Sequence, residues 1–394
     1  MSFSVAIGFS QAQNPQEAAH QASVAIKNKL NSITTDMVIV FTSISYAKKE
    51  ILDVIYPILK PIRLIGSSCS GIILSEGVFN RGLAILAINS SSITFGIGSV
   101  NLNPKDNPRK TGFELGHKIN LDSKTHFQRQ AAVVLCDGIS QYNNQFMAGV
   151  QEILGRSFPL AGTLSCDDFK LQRSYQFYQK QILSNSSIGF LINSMFPVAF
   201  SNKHGFKPLG KPRTITSVEG PIIHTIDHRP AVKLYEEYLK DVSKNLKNGF
   251  LNSPVTIYPL GVYSENQQQY LLRYPVDILT NGSIVCQTDI PPNTEVHLMI
   301  SNRDSCKNAA TAAAQEIKYA LGGQAQLLFI FESMGRQRIL SHHLFLEIQA
   351  IKELLGDSVP IIGMYGFGEL CPLGSSTEST DTYLQNGSLS LLAI

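Results

Sequence analysis

Arg63-Leu-Ile-Gly-Ser-Ser-Cys-Ser-Gly71 decides the fold. An apolar run of strand length passes directly into small residues, the pattern of a buried strand that ends in a tight turn. Before it lie the strand-like Val38-Ile-Val-Phe41 and a helix-spaced stretch from Lys48 to Leu59. After it, Leu83–Ile88 reads as a returning strand. Further back, Ser4–Ser10 opens the unit as a strand, and Pro15 starts a helix with Ala18, Ala22, Ala25, Ile26 and Lys29 at helical spacing. The order is strand, helix, strand, helix, strand with turn, returning strand.

The same order recurs twice. The second copy runs from Ile93–Ser99 through a helix over Thr111–Ile119, the strand Ala132–Cys136 and a helix over Gln145–Leu154. Its turn is Pro159-Leu-Ala-Gly-Thr-Leu-Ser-Cys-Asp-Asp168 and its return Ile188–Ile192. The third is read as opening with Val296–Ile300, followed by the helix Lys307–Leu321, the strand Leu327–Phe331 and a helix from Arg336 to Leu355. Its turn is Pro360-Ile-Ile-Gly-Met-Tyr-Gly-Phe-Gly-Glu369 and its return Leu389–Ile394. Alternating strands and helices imply parallel pairs with right-handed crossovers, and the returning strands make the sheets mixed. The expected class is α/β: two domains with mixed sheets, built from three βαβαββ-like repeats plus an inserted β-rich segment.

The insertion lies between copies two and three, from Phe196 to Pro291. It holds strand-like runs and one helix, with Pro230 at its first position and Val232, Tyr235, Tyr238, Leu239 and Val242 at helical spacing. A polar, turn-rich Ser243–Gly249 follows. The domain boundary is placed just before that helix, giving domains 1–229 and 230–394.

Composition narrows the function. At 394 residues with 43% apolar and 16% charged residues, the chain has ample core for two domains and no disordered character. A net charge of +3 argues against a nucleic-acid or membrane-surface partner. No apolar run has the length of a membrane span, and the N-terminus lacks a signal-peptide layout, so a cytoplasmic protein is expected. The six dispersed cysteines read as free thiols.

Ligands of open parallel sheets bind beyond the carboxyl ends of strands, where the three small-residue turns fall. Ser333-Met-Gly-Arg336 sits at such an end and opens a helix, whose N–H groups with the Arg336 fork would suit a carboxylate or phosphate. Glu369 would hold an amine, so that the pair receives the two charged ends of an amino acid. The other reading is an Arg336–Glu369 ion pair bracing two loops. The expected ligand-binding set is Arg336, Gly335, Ser333, Tyr365, Gly368, Glu369, Ser68 and Asp168. Asp167-Asp168 reads better as a cap or solvated turn than as a metal site. Cys371 and His204 are the candidates for a haem alternative, with a structural thiol and a structural histidine as the plainer readings. There is no Walker loop, GxGxxG, HExxH or GxSxG motif. A hydrolase or transferase built on Ser68, Cys69 or Cys166 stands as a second alternative that lacks an identifiable base.

These residues resemble the FIST sensory family. The resemblance rests on Leu64–Gly71, Leu135-Cys-Asp-Gly138, Leu160-Ala-Gly162 with Asp167-Asp-Phe169, His204-Gly-Phe206, and Val218 to Ala231 leading into Tyr235. In the second half it rests on Ser333-Met-Gly-Arg336, Gly363-Met-Tyr-Gly-Phe-Gly-Glu369, Pro372 and the final strand. It implies an intracellular sensory module of bacterial signal transduction. Such a module takes a small-molecule ligand, for which amino acids have been proposed, and acts in its stand-alone form through a separate signalling protein of kinase, cyclase or chemoreceptor type. It implies no catalysis and no required cofactor, although one branch binds haem and responds to nitric oxide. The chain departs from the family pattern at Phe206, where Trp is usual, and at Cys371, where a small residue is usual.

Overall fold

The structure, a computed structural model, describes residues 3–30, 34–123, 127–139, 143–170, 172–239, 257–265, 268–373 and 382–394. The polar stretch 243–249 and Val242 lie outside the described residues.

Three repeats form three mixed sheets of one design. In the first sheet Phe3–Ser10, Leu83–Ser90, Thr35–Ser43 and Pro61–Cys69 lie side by side; the returning strand is antiparallel to both neighbours, and the last two strands are parallel. The second sheet repeats this with Ile93–Asn101, Ser186–Ser194, Arg129–Asp137 and Leu160–Ser165. The third does so with Ala199–Lys203, Leu389–Ala393, Leu328–Ser333 and Ile361–Gly366. The inner faces of the sheets pack against one another around Phe41, Phe95, Phe190, Phe329 and Met364, and the helices cover the outer faces.

This corrects the expected start of the third repeat. Val296–Ile300 does not open it. Glu295–Ile300 pairs instead with Lys207–Glu219 and Leu260–Ser264 in a fourth, antiparallel sheet with its own core around Ile215, Tyr235 and Leu298. The opening strand is Ala199–Lys203, and the insertion separates it from its helix, Arg303–Leu321. A division at 229/230 passes through the fourth sheet, since Ile222–Ile226 pairs with Ile284–Cys286.

After the third strand of each repeat the chain leaves its own sheet. Gly71–Leu74 and Gly77–Phe79 extend the third sheet beside Ile361–Gly366. Gln176–Tyr178 and Gln181–Leu183 extend the first beside Pro61–Cys69. Glu369–Pro372 and Thr382–Gln385 extend the second beside Leu160–Ser165. Each repeat thus lends a hairpin to another, in a closed cycle, and the three strand-end turns meet at the centre.

Candidate functional site

The central junction is packed. Ser67 Oγ donates to the Ser68 carbonyl (2.9 Å) and shares a hydrogen bond with Ser165 Oγ, 2.5 Å away. Ser68 Oγ donates to the Cys166 carbonyl (2.9 Å) and accepts from the Tyr175 N–H (3.0 Å). Ser68, expected to face a ligand, is instead fully buried with its hydroxyl spent on backbone. Cys69 and Cys166 donate to the carbonyls of Thr42 and Tyr365, both at 3.4 Å. Burial raises both thiols, Cys166 to about 12, which keeps the proton on sulfur. Gly368 belongs to the same junction: its carbonyl accepts from Thr163 Oγ1 (2.7 Å) and the Leu164 N–H (2.9 Å).

Arg336 turns away from any ligand. It is fully buried, with Nε donating to Glu332 (3.1 Å), Nη1 to the His204 carbonyl (2.6 Å), and Nη2 to the Cys306 carbonyl (3.3 Å) and the Glu347 carboxylate. Burial first, then Glu347, hold Glu332 well above the usual carboxylate range. Tyr365 is buried against the same cluster, its phenol raised by burial and by Glu332. The helix Met334–Leu340 has only seven residues, and its Gly335 N–H is already taken by Ser333 Oγ (3.2 Å), so its start is no open anion site.

Glu369 neither pairs with Arg336 nor waits for an amine. Its Oε2 accepts from Ser388 N–H (3.0 Å) and Oγ (2.9 Å), while Oε1 is buried without a hydrogen-bond partner. Burial raises its carboxyl to about 8, so at neutral pH it is chiefly the neutral acid and offers no counter-charge to an ammonium group. Both sequence-based readings of the Arg336–Glu369 pair therefore give way to two separate buried clusters. Asp168 is exposed. Asp167 accepts from the N–H groups of Lys170, Gln172 and Arg173, which makes it the cap of the loop.

Cys371 and His204 do not fit a haem. Cys371 is fully buried in the apolar core between the sheets, and burial raises its thiol to about 12. His204 accepts from the Phe206 N–H at Nδ1 (2.9 Å) and is also hydrogen-bonded to the Tyr270 backbone; burial, then Arg336, lower it to about 4. Neither side chain presents an open ligand atom.

Beside the junction the fold leaves a narrow cleft of about 30 Å³. Three parts of the chain build it. The insertion supplies Tyr274, Pro275, Val276 and Gln287; the third repeat supplies Ser333, Met334, Gly335, Arg338 and Phe367; the loop after the second turn supplies Phe169. Of the expected set, Ser333 and Gly335 line this cleft, and the others do not. The half-buried Arg338 guanidinium lies 5.0 Å from the centre of the Phe169 ring. Tyr274 is buried, its hydroxyl has no hydrogen-bond partner, and a Cβ on Gly335 would come within 2.5 Å of that oxygen. Phe206, the position of the family's usual Trp, packs edge-on against Tyr274 with ring centres 6.5 Å apart. Tyr274 and Gln287 carry no sequence signal, because they reach the cleft from an insertion with its own core. Phe169 and Phe367 do have one, each being the large residue in a small or polar turn.

Comparison with known proteins follows the same lines. The chain matches the FIST N domain over residues 36–229 and the FIST C domain over residues 231–372. An uncharacterized protein of Methanocaldococcus jannaschii is 22% identical over 211 residues, 51% of this chain and 40% of that protein, so the match spans less than half of the relative's length. Among solved structures, cyanuric acid hydrolase from A. caulinodans aligns over 100% of this chain and 99% of its own at 7% identity and a TM-score of 0.41. A second cyanuric acid hydrolase structure aligns over 52% of this chain and 72% of its own at 8% identity and a TM-score of 0.29. Among the described residues no helix is long and apolar enough to cross a membrane.

Proposed function

The chain belongs to the FIST family, with N and C domains joined in one polypeptide, and from that premise we propose that it senses a small ligand in the cleft between Tyr274, Phe169 and Arg338 and signals occupancy to a separate protein. FIST domains are sensory-type domains. The observation that carries the reading is the origin of the cleft walls: insertion, third repeat and second-repeat loop each contribute one. An occupant that touches all three favours the arrangement it bridges, and a partner that prefers that arrangement reads occupancy. The partner expected is of kinase, cyclase or chemoreceptor type, in the cytoplasm.

Arg338 replaces Arg336 as the anchor for an anionic group, because it is the charged side chain among the described residues lining the cleft. An amino acid remains a ligand class to test, held by its carboxylate. The chain has no tryptophan, so Phe367→Trp places one indole fluorophore on the cleft wall. Common amino acids, small carboxylates and nucleotides are screened by thermal shift and then titrated against this variant. A ligand that raises the melting midpoint and changes the indole fluorescence supports the reading. A stabilising ligand that leaves the fluorescence unchanged binds elsewhere and overturns it, as does a screen without any stabilising compound.

A further inference from the structure

We propose that the groove at the root of the insertion is a second ligand site, which takes polyhydroxylated monocarboxylates of the sugar-acid class. The groove has a volume of about 320 Å³, within the roughly 300–1,000 Å³ of small-molecule sites. It shares no lining residue with the Tyr274–Arg338 cleft, so the inference stands without that one. Two parts of the chain face each other across it. Lys207 and Gln269 come from the insertion, and Ser305 and Asn308 from the first two turns of the helix Arg303–Leu321. Between them, Gly205 packs so closely on the helix that an added Cβ would lie 2.4 Å from the Ser305 carbonyl oxygen, which fixes one wall against the other.

Charge sets the first requirement. Lys203 at the rim is already paired with Glu316 (2.6 Å). His204 is neutral, because burial and Arg336 lower it to about 4. The Lys207 ammonium is exposed and has no partner among the described residues, and no acidic side chain among them lines the groove. One open cation suits one carboxylate. Hydrogen bonding sets the second requirement. The amides of Gln269 and Asn308 and the Ser305 hydroxyl each offer a donor and an acceptor, and none has a partner among the described residues. Ligand hydroxyls also donate and accept, so a row of them satisfies all three groups, whereas a plain hydrocarbon acid covers the same groups and leaves them unpaired. The buried Phe206 and Ala309 give an apolar base for the carbon face of such a molecule.

The test titrates the full chain with glucuronate, glucose, cyclohexanecarboxylate and glucosamine by calorimetry. Glucuronate is expected to bind about 10-fold or more tightly than each of the others, a ratio worth about 1.4 kcal/mol. Added salt is expected to weaken glucuronate and leave glucose unchanged, because the Lys207 contact is exposed and screened. Lys207→Gln is expected to weaken glucuronate about 10-fold without affecting glucose, a split that a general change of shape would not produce. Asn308→Ala is expected to weaken both sugars about 5-fold. Equal binding of glucuronate and glucose overturns the carboxylate requirement. Equal binding of glucuronate and cyclohexanecarboxylate overturns the hydroxyl requirement. Binding that alters the indole fluorescence of Phe367→Trp and is untouched by Lys207→Gln and Asn308→Ala puts the ligand in the cleft and overturns the groove. Absence of heat with all four compounds overturns the site.

Discussion

Arg336 shows how misleading a single charged residue is when read from sequence. Its spacing after a strand end suits an anion, yet its guanidinium is buried between Glu332 and Glu347 and two backbone carbonyls. Removing it leaves two buried acids without their cation, which costs about 3–5 kcal/mol. Arg336→Ala is therefore expected to lower the unfolding free energy in urea by that amount. Combined with Phe367→Trp, its folded fraction is expected to bind ligand with unchanged affinity. A loss of affinity in a fully folded Arg336→Ala protein would return Arg336 to the site. Glu369 supplies a pH prediction. Its folded value of about 8 lies above the ordinary 4.5, so between the two the folded chain holds more protons than the unfolded one. Its contribution to stability is full below 4.5 and is lost as pH rises through about 8. Glu369→Gln, which keeps a neutral side chain of the same shape, is expected to flatten this part of the pH profile: its melting midpoint exceeds that of the wild type by a few degrees near pH 8 and matches it near pH 5. Parallel profiles would refute the buried neutral acid. The expected glycine- and serine-rich turns were legible at this scale, but the direction of each side chain was not, because direction depends on neighbours distant in sequence.

At the scale of elements, periodicity was a good guide wherever one face of a helix or strand is buried locally. The helices Pro108–Leu121 and Asn143–Leu154 cross so closely that a Cβ at Gly112 or Gly149 would lie 1.9 Å from the Phe146 or Arg109 carbonyl oxygen. Gly149→Ala is expected to cost about 1–3 kcal/mol in chemical denaturation, because the facing atom is backbone and cannot swing aside. Gly323→Ala is the control, since its added Cβ meets nothing closer than 3.9 Å, and should change stability little. Equal effects of the two would contradict the close crossing. Pattern failed at the third repeat's first strand. Ala199–Lys203 and Glu295–Ile300 both have strand character, and the one nearer its helix in sequence is the wrong choice. What separates them is pairing: Ala199–Lys203 finds Leu389–Ala393, and no local signal encodes a partner so distant along the chain.

The whole molecule is held by exchange. Gly71–Leu74 completes the third sheet, Gln176–Tyr178 the first and Glu369–Pro372 the second, so that no repeat closes its own sheet. Cooperative unfolding follows, since opening one sheet strips a strand from another. A single calorimetric transition with equal calorimetric and van't Hoff enthalpies is expected. Fragment 1–229 is expected not to fold alone, because Leu160–Ser165 loses Glu369–Pro372 and Gly71–Leu74 loses Ile361–Gly366. Two resolved transitions, or a fragment 1–229 with native-like near-ultraviolet dichroism, would show that the exchange does not couple the repeats.

By itself the sequence determined the α/β class, the threefold repetition, the insertion and the family, because these rest on local hydrophobic period and on the order of small-residue turns. The tertiary structure alone decided which strand opens the third repeat, that the hairpins are traded between sheets, and that the open cleft lies beside the turns and not within them. The reason is physical. A buried polar side chain must find partners wherever the fold supplies them, so Arg336, Ser68 and Glu369 were drawn into internal hydrogen bonds. The open cleft was left to Tyr274, Phe169 and Arg338, which come together from three separate parts of the chain.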